Sequence, residues 1–215
     1  MGTARRVGLL GGSFNPAHGG HRAISLFAAN ALGLDEVWWL VSPGNPLKPR
    51  AGMAPLAARV MSARAQARRA PIRVTAIEHE LGTRYTVDTL DALQRRYPHI
   101  RFIWLMGGDN MLQFHQWKQW RDITRLMPIA VIARPRYNAR THGNPAMIWL
   151  RPFVRVARHS RQWTKWRLPA LVLLRFRPDP RSATALRQAA PQWHRTFSHS
   201  RPRDGITGRA ILSQE

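Results

Sequence analysis

The sequence contains no cysteine and few acidic residues. Without cysteine, disulfides, zinc–thiolate sites and thiol catalysis are excluded. Only 11 Asp and Glu stand against 34 Lys and Arg, which gives a formal net charge of +23. Such a balance favours anionic partners, namely nucleic acid, anionic membrane or phosphorylated small molecules. Because the basic residues are spread along the chain instead of forming one run, we interpret most of them as a solvated surface.

Long apolar segments are also missing. The longest uncharged apolar runs, such as Ala170–Leu174, are far too short to span a bilayer. Arg5 and Arg6 lead directly into a short apolar run, without the apolar core of a secretory signal. A chain of 215 residues is long enough for one domain with a full core. We therefore expect a soluble cytoplasmic protein with no membrane partner.

The most informative segment is Gly11–His21, which reads GGSFNPAHGGH. It lies between a short apolar run, Val7–Leu10, and a segment with helical apolar spacing, Ile24–Leu32. This order predicts a strand, a glycine turn and a helix. Paired glycines let the backbone approach a ligand closely, and the N-terminus of the helix favours a phosphate group. His18 and His21, three residues apart, can project to the same side at the start of that helix.

Apolar strands alternate with amphipathic helices along the first 133 residues. This alternation predicts an α/β fold, a doubly wound parallel sheet covered on both faces, with the ligand site beyond the carboxyl ends of the strands. We place a single domain at residues 1–190, with an irregular excursion over 136–169 and a basic, weakly ordered tail over 191–215. The predicted strands are 7–10, 37–41, 72–75, 100–106, 129–133 and 171–176, and the later predicted helices are 55–69, 85–97 and 182–190.

Four further segments lie close to the ends of predicted elements. Taken singly, each has an ordinary explanation: a proline turn with a solvated lysine, a helix start with hydroxyl caps, a strand-to-helix turn, or a capped helix N-terminus. The four segments are Pro43–Lys48, Thr83–Leu90, Gly107–Asn110 with Trp117 downstream, and Arg181–Arg187.

His18-Gly19-Gly20-His21 resembles the HxGH signature of the nucleotidyltransferase superfamily. With the four segments in this order, the chain resembles the nicotinate-nucleotide adenylyltransferase family from about Val7 to Arg187. The resemblance implies a Rossmann-like nucleotidyltransferase fold. It also implies transfer of the adenylyl group of ATP to nicotinate mononucleotide, giving nicotinate adenine dinucleotide (deamido-NAD) and pyrophosphate in NAD biosynthesis. The sequence departs from the family pattern at Asn15, where Asp is usual, at Leu47, where His is frequent, and at Arg181, where an apolar residue is usual.

The resemblance also implies a site. The phosphate of nicotinate mononucleotide would attack the α-phosphorus of ATP directly, with Mg²⁺ bridging phosphates mainly through water and ATP, and with no dedicated protein metal ligand. The implied catalytic residues are His18, His21 and Arg187. The implied ATP-binding residues are Gly11, Gly12, Ser13, Phe14, His18, His21, Gly107, Asp109, Ser182, Thr184 and Arg187. The implied mononucleotide-binding residues are Asn45, Lys48, Tyr85, Thr86, Trp117 and Arg134.

Several alternatives stay open. By spacing alone, Trp120 is as well placed as Trp117, so only the family pattern favours Trp117. Another small-molecule nucleotidyltransferase, using nicotinamide mononucleotide or a different phosphorylated acceptor, would share the fold. A nucleic-acid-binding protein is suggested by the charge of +23 and the nine tryptophans. Against it, no recognised RNA- or DNA-binding module is present, so we expect no specific nucleic-acid partner. The sequence makes no prediction of oligomeric state.

Overall fold

The strands form one parallel sheet. The computed structural model describes residues 4–44, 52–133, 143–176, 183–197 and 201–211. The strands are β1 (Arg5–Gly12), β2 (Glu36–Val41), β3 (Ile72–Thr75), β4 (Ile100–Gly107), β5 (Ile129–Ala133), β6 (Val154–Arg155) and β7 (Leu171–Arg175). In the described ranges they make a sheet of seven strands in the order β3-β2-β1-β4-β5-β7-β6, and each pair is parallel. The predicted α/β fold with a doubly wound parallel sheet is confirmed.

Helices connect the strands and cover both faces. They are α1 (Gly19–Leu32), α2 (Leu56–Ala67), α3 (Ile77–Leu81), α4 (Thr86–Arg96), α5 (Gly108–Gln113), α6 (Trp120–Leu126), α7 (Pro145–Leu150) and α8 (Ala183–Ala189). Short 3₁₀ helices occupy 114–116, 151–153, 157–165 and 193–197. Within the described ranges, no helix has the length and apolar content needed to cross a membrane.

The core lies on both sides of the sheet because the central strands are apolar on both sides. β2 is buried along its whole length, and its adjacent residues Trp38 and Trp39 point to opposite faces. Trp39 packs in an apolar cluster with α1 and α2, whereas Trp38 packs in a second cluster with α4 and α6. Continuous apolar strands are the expected signature of such a two-sided parallel sheet.

The order of the strands reverses at β1. β1 pairs with β2 on one side and with β4 on the other, so the connections that leave these strands run in opposite directions along the sheet. A crevice forms at such a switch point, beyond the carboxyl ends of the strands, and ligands bind there in open α/β sheets. The glycine loop that follows β1 lies at this point. Gly11 is required there because a Cβ atom would come within 2.5 Å of the Trp104 ring.

Residues 143–169 of the expected excursion contain short regular elements that sequence periodicity did not indicate. They include α7, β6 and the 3₁₀ helix at 157–165. That 3₁₀ helix is attached to the end of α1, since the Ser160 hydroxyl donates to the Ala31 carbonyl (2.7 Å) and the Trp163 indole donates to the Leu32 carbonyl (3.0 Å). Elements this short, with mostly exposed side chains, leave no apolar period to detect.

Residues 201–211, which we call the C-terminal hook, pack against the edge strand β3. The Asp204 carboxylate, 6% exposed, accepts hydrogen bonds from the Thr75 hydroxyl (2.7 Å) and from the Ala76 N–H (2.7 Å). The Gly205 N–H donates to the Val74 carbonyl (3.0 Å). The weak order expected for 191–215 therefore does not extend to the hook. The polar, basic composition of this segment does not indicate that one acidic residue, Asp204, is buried and anchors it.

Gly205→Ala should destabilise the protein, because the added Cβ would lie 2.3 Å from the Val74 carbonyl oxygen. We expect the free energy of unfolding to fall by about 2 kcal/mol, measured by urea denaturation. Gly143→Ala is the matched control, since a Cβ there meets nothing within 4 Å. Equal losses in the two variants would contradict the packing of the hook on β3.

Candidate active site

A cavity of about 340 Å³ opens at the carboxyl ends of the central strands. This volume suits a small ligand. The glycine loop after β1 forms one wall, and the segments that begin α3, α4 and α5 form the others. The lining residues that the sequence predicted are Gly11, Gly12, Ser13, Tyr85, Thr86 and Trp117; those that it did not predict are Ser42, Glu78, Arg84, Trp104, Asn110, Gln116 and Lys118.

His18 and His21 form a capping box at the start of α1. The Nδ1 atom of His18 accepts a hydrogen bond from the Gly20 N–H (3.1 Å), and the Nδ1 atom of His21 accepts one from the His18 N–H (3.2 Å). Because Nδ1 is an acceptor in both rings, each neutral ring carries its proton on Nε2. The ring centroids are 3.9 Å apart. Two Nε2–H donors at a helix N-terminus are suited to phosphate oxygens.

His21 is held neutral. Burial, with a smaller contribution from neighbouring His18, lowers the pKa of His21 to about 3. Its ring lies 4.8 Å from the Phe14 ring, which in turn stacks on Trp39 at 5.0 Å. The Phe14 side chain, 1% exposed, therefore belongs to the core beneath the histidines. A ligand at this loop could contact Phe14 only through its backbone.

Asn15 holds the glycine loop against the chain before α2. Its amide nitrogen donates to the Gly52 carbonyl (2.9 Å), and its amide oxygen accepts from the Ala54 N–H (3.2 Å). A carboxylate at this position could accept from Ala54 but could not donate to Gly52. The two contacts give a physical reason for the amide where the family usually has Asp.

Arg187 reaches the glycine loop from α8. Its guanidinium donates to the Asn15 carbonyl (2.7 Å) and to the Thr184 hydroxyl (3.2 Å). The structure thus places the Arg187 guanidinium at the loop that carries His18 and His21.

Trp117 lies at the cavity, whereas Trp120 does not. Trp117 is half-buried and lines the cavity, with edge-to-face contacts to Trp104 (6.3 Å) and Phe114 (5.5 Å). Trp120 is 9% exposed and packs in the apolar core. Of the two tryptophans that spacing leaves open, Trp117 is the one that lines this cavity. Two other lining residues are in contact with each other, since the Lys118 ammonium lies 4.6 Å from the centroid of the Tyr85 ring.

Other predicted site residues are placed differently or are outside the described residues. Gly107, the last residue of β4, and Asp109, in the first turn of α5, do not line this cavity, and Asp109 is exposed. Asn45, Lys48, Arg134 and Ser182 lie outside the described residues.

Arg59 is an important residue that the sequence analysis missed. It is 1% exposed, and its guanidinium donates to the carbonyls of Ser13 (2.9 Å), Ser42 (2.6 Å) and Ala54 (2.8 Å). These contacts tie together the loops that follow β1 and β2. Burial lowers the pKa of Arg59 to about 10, so the guanidinium stays protonated at neutral pH. A basic residue between the buried positions Leu56 and Ala63 of α2 is a signal that could have indicated this role.

Glu78 is a second residue that was missed. It lies in the first turn of α3 and lines the cavity. Burial raises the pKa of Glu78 to about 7, while a hydrogen bond from Ser42 and the charge of Arg59 lower it by smaller amounts. This carboxyl group therefore changes charge close to neutral pH, and no sequence pattern marks it.

The lining of the cavity offers a single carboxylate to a metal ion. Apart from Glu78, the side chains that line the cavity are hydrogen-bond donors, amides or aromatic rings. Among the described residues, no group of three or more His, Cys, Asp or Glu is arranged to hold a metal ion.

Comparison with known proteins shows the family to which this chain belongs. The profile of the cytidylyltransferase-like family matches residues 9–189. A probable nicotinate-nucleotide adenylyltransferase of Erythrobacter litoralis is 60% identical over 100% of this chain and 98% of its own length. One of Parvibaculum lavamentivorans, with the same name, is 50% identical over 85% of this chain and 91% of its own length.

Solved structures show the same fold at low sequence identity. Nicotinic acid mononucleotide adenylyltransferase of Plasmodium falciparum, complexed with NaAD, is 14% identical with a TM-score of 0.61, covering 86% of this chain and 83% of that chain. The same enzyme complexed with APC gives a TM-score of 0.57 over the same coverage. At this identity the likeness supports the fold alone.

The parallel sheet, the HxGH loop at its switch point and the family profile together define a nucleotidyltransferase. The relatives from Erythrobacter litoralis and Parvibaculum lavamentivorans, matched over most of their length, narrow this class to one family of nucleotidyltransferases. The chain belongs to the nicotinate-nucleotide adenylyltransferase family.

The raised pKa of Glu78 predicts a pH dependence of stability. The folded state, with a pKa of about 7, binds a proton more tightly than the unfolded state at the ordinary value of 4.5. The Glu78 contribution therefore stabilises the fold below about pH 4.5 and is lost as pH rises through about 7. Glu78→Gln cannot titrate, so its stability relative to the wild type should increase between about pH 5 and about pH 8.

Urea denaturation of both proteins at the two pH values measures this difference. Glu80→Gln, on the same helix but outside the cavity lining and ion-paired with Arg96 and Arg209, is the control. A pH-independent difference between Glu78→Gln and the wild type would show that Glu78 does not change its ionisation in this range.

Proposed function

We propose that this site transfers the adenylyl group of ATP to nicotinate mononucleotide, releasing pyrophosphate and forming nicotinate adenine dinucleotide in NAD biosynthesis. Family membership supports the reaction. The single structural observation that supports it best is the pair of Nε2–H donors of His18 and His21 at the N-terminus of α1. This phosphate-binding loop adjoins an aromatic-lined cavity of the size of a small ligand.

The proposed division of the site follows from which groups donate hydrogen bonds. On one side, the amides of Gly12, Ser13 and Phe14, the two histidines and Arg187 would hold the triphosphate. On the other side, Trp117 offers a flat face to the pyridine ring, and Thr86, the first residue of α4, offers donors to its carboxylate. We also propose that Gly11, Gly107, Asp109, Ser182 and Thr184 bind ATP. The further residues that we propose to bind the mononucleotide are Asn45, Lys48, Tyr85 and Arg134.

No protein nucleophile is required, because the phosphate of the mononucleotide attacks the α-phosphorus of ATP directly. The protein must bring two anions into line and stabilise the charge that moves to pyrophosphate. The Nε2–H groups of neutral His18 and His21 are fixed by the capping box before substrate arrives, so they need little reorganisation. The Arg187 guanidinium, attached to the Asn15 carbonyl, is positioned at the same loop.

Nucleotidyl transfer from ATP generally uses a divalent metal, and we propose Mg²⁺ as that metal. It would be bound mainly by phosphate oxygens and water, where it would neutralise phosphate charge. We also propose a cytoplasmic location and no specific nucleic-acid partner, in keeping with small phosphorylated substrates.

A direct assay tests the proposed reaction. The full-length protein is mixed with ATP, Mg²⁺ and nicotinate mononucleotide, and both pyrophosphate release and dinucleotide formation are measured. Formation of both products in equal amounts is expected. Pyrophosphate release without the mononucleotide, or no release with it, would exclude the proposed reaction.

Replacing either histidine of the loop should abolish most of the activity without unfolding the protein. We expect His18→Ala and His21→Ala to lower kcat by at least about 100-fold, the effect typical of losing a fixed donor to a developing charge. His99 is exposed and immediately precedes β4, so it lies at the amino-terminal end of the strands, opposite the site. His99→Ala should therefore keep near-normal kcat. Near-normal kcat in either loop variant would contradict the assignment of the triphosphate site.

The enzyme should strongly prefer the acid mononucleotide to the amide. A ring carboxylate accepts hydrogen bonds from two donors, whereas a carboxamide turns its own N–H groups toward one of them. One unpaired buried group costs about 1–3 kcal/mol. We expect kcat/KM for nicotinate mononucleotide to exceed that for nicotinamide mononucleotide by at least about 100-fold, equivalent to about 2.7 kcal/mol.

Trp117→Ala is the companion variant for this comparison. It should lower kcat/KM for both mononucleotides by similar factors, because stacking does not distinguish a carboxylate from a carboxamide. Equal use of the two mononucleotides by the wild type would exclude the acid-specific function while leaving adenylyl transfer in place.

A further inference from the structure

Glu78 is the one carboxylate among the described residues that line the cavity. The lining side chains with a fixed positive charge are Arg84 and Lys118, and Ser13, Ser42 and Thr86 present hydroxyl groups. Ser42 donates a hydrogen bond to Glu78, and the charge of Arg59 favours its ionised form. These interactions stabilise the carboxylate from the protein side, but they do not explain why it also lines a cavity that an anionic nucleotide would require to be rich in donors. Placed against a phosphate, this group would repel the substrate.

The groups of the proposed substrate restrict what Glu78 can bind. Nicotinate mononucleotide carries a ring carboxylate and a phosphate, both of which are acceptors, and two ribose hydroxyls, which are donors. An ionised carboxylate is an acceptor only. The ribose hydroxyls are therefore the substrate groups that form favourable hydrogen bonds with the ionised form of Glu78, which predominates above its pKa of about 7. Carboxylates serve the same purpose in dinucleotide-binding folds, where an acidic residue accepts a hydrogen bond from the ribose.

We propose that Glu78 binds the ribose hydroxyls of the pyridine mononucleotide and so distinguishes a ribonucleotide from its deoxy analogues; this inference rests on the proposed function. The aromatic wall formed by Tyr85 and Trp117 belongs to the same cavity as Glu78. A pyridine ring stacked on Trp117 leaves the attached ribose between that wall and the glycine loop, the region into which α3 carries Glu78.

The start of α3 is fixed by buried contacts that keep Glu78 in place. The Thr75 hydroxyl accepts a hydrogen bond from the Ile77 N–H (3.0 Å) and donates one to the Asp204 carboxylate (2.7 Å). Asp204 also accepts from the Ala76 N–H (2.7 Å). The residues immediately before Glu78 are thereby attached to the C-terminal hook. A preorganised acceptor binds a hydroxyl group with less loss of conformational entropy than a mobile one.

Deoxy analogues test the proposal. The kcat/KM values for nicotinate mononucleotide and for its 2′-deoxy and 3′-deoxy analogues are compared in the wild type, Glu78→Ala, Glu78→Gln and Glu80→Ala. The wild type should prefer the ribonucleotide to at least one deoxy analogue by about tenfold or more, as expected for a hydrogen bond to a charged group. Glu78→Ala should lose most of that preference, falling within about threefold of equal use, and Glu78→Gln, which keeps an acceptor but no charge, should be intermediate.

One control variant and two contrary outcomes complete this test. Glu80→Ala, on the same helix but outside the cavity lining, should keep the wild-type preference. Wild-type preference in Glu78→Ala would overturn the proposal. So would a loss of discrimination against 2′-deoxy-ATP in place of the mononucleotide analogues, because Glu78 would then face the other substrate.

Binding measurements separate failure of this inference from failure of the proposed function. Calorimetric titration with nicotinate mononucleotide and its deoxy analogues, without ATP, should show the same loss of preference in Glu78→Ala. If the wild type shows a ribose preference that Glu78→Ala loses, but forms no dinucleotide, the proposed reaction is excluded and the ribose contact of Glu78 is supported. If the wild type forms dinucleotide but binds the ribose and deoxy forms equally, the reaction is supported and the ribose contact is excluded. Circular dichroism confirms that each variant is folded.

Discussion

The site depends on the buried guanidinium of Arg59. A buried charge is costly unless it is hydrogen-bonded, and each of the three guanidinium nitrogens of Arg59 donates to at least one backbone carbonyl. The carbonyls of Ser13 and Ser42 belong to the loops that leave two adjacent parallel strands. Parallel strands bring their carboxyl ends to one end of the sheet, where the Ser42 N–H donates to the Gly12 carbonyl (3.0 Å). Arg59 adds a second, side-chain link between the same two loops, and the cavity wall follows from both contacts.

The histidine pair combines a structural and a chemical role in the same two rings. One ring nitrogen of each caps the first turn of α1, which satisfies backbone N–H groups that the helix leaves unpaired. That use fixes the tautomer and directs the remaining N–H. The low pKa of His21 comes first from burial of the ring and second from the charge of His18, whereas the hydrogen bond with the His18 backbone acts in the opposite direction. Helix capping and ring orientation are therefore consequences of one arrangement, and the protonation of His21 follows from where that arrangement is buried.

The sequence predicted those parts of the fold that have local signals. β2 and β5 are marked by continuous apolar residues, and the loop after β1 is marked by its paired glycines. Trp117 could be chosen only through the family pattern, and packing then explains why Trp120 belongs to the core. Arg59, Glu78 and Asp204 were not predicted, because their partners lie far along the chain. Asp204 and Thr75 are 129 positions apart, and no period or short motif reports such a contact.

The docking of the C-terminal hook also determines how the sheet ends. An edge strand exposes backbone N–H and C=O groups that can pair with another chain and start aggregation. At β3 the Gly205 N–H donates a hydrogen bond to the Val74 carbonyl, and the hook folds back on itself through the β-bridge between Arg203 and Ala210. The opposite edge, β6, is only two residues long. The hook covers part of one edge, and the strand at the other edge is short, so in the described residues both edges offer less backbone for pairing with another chain than a long exposed strand would.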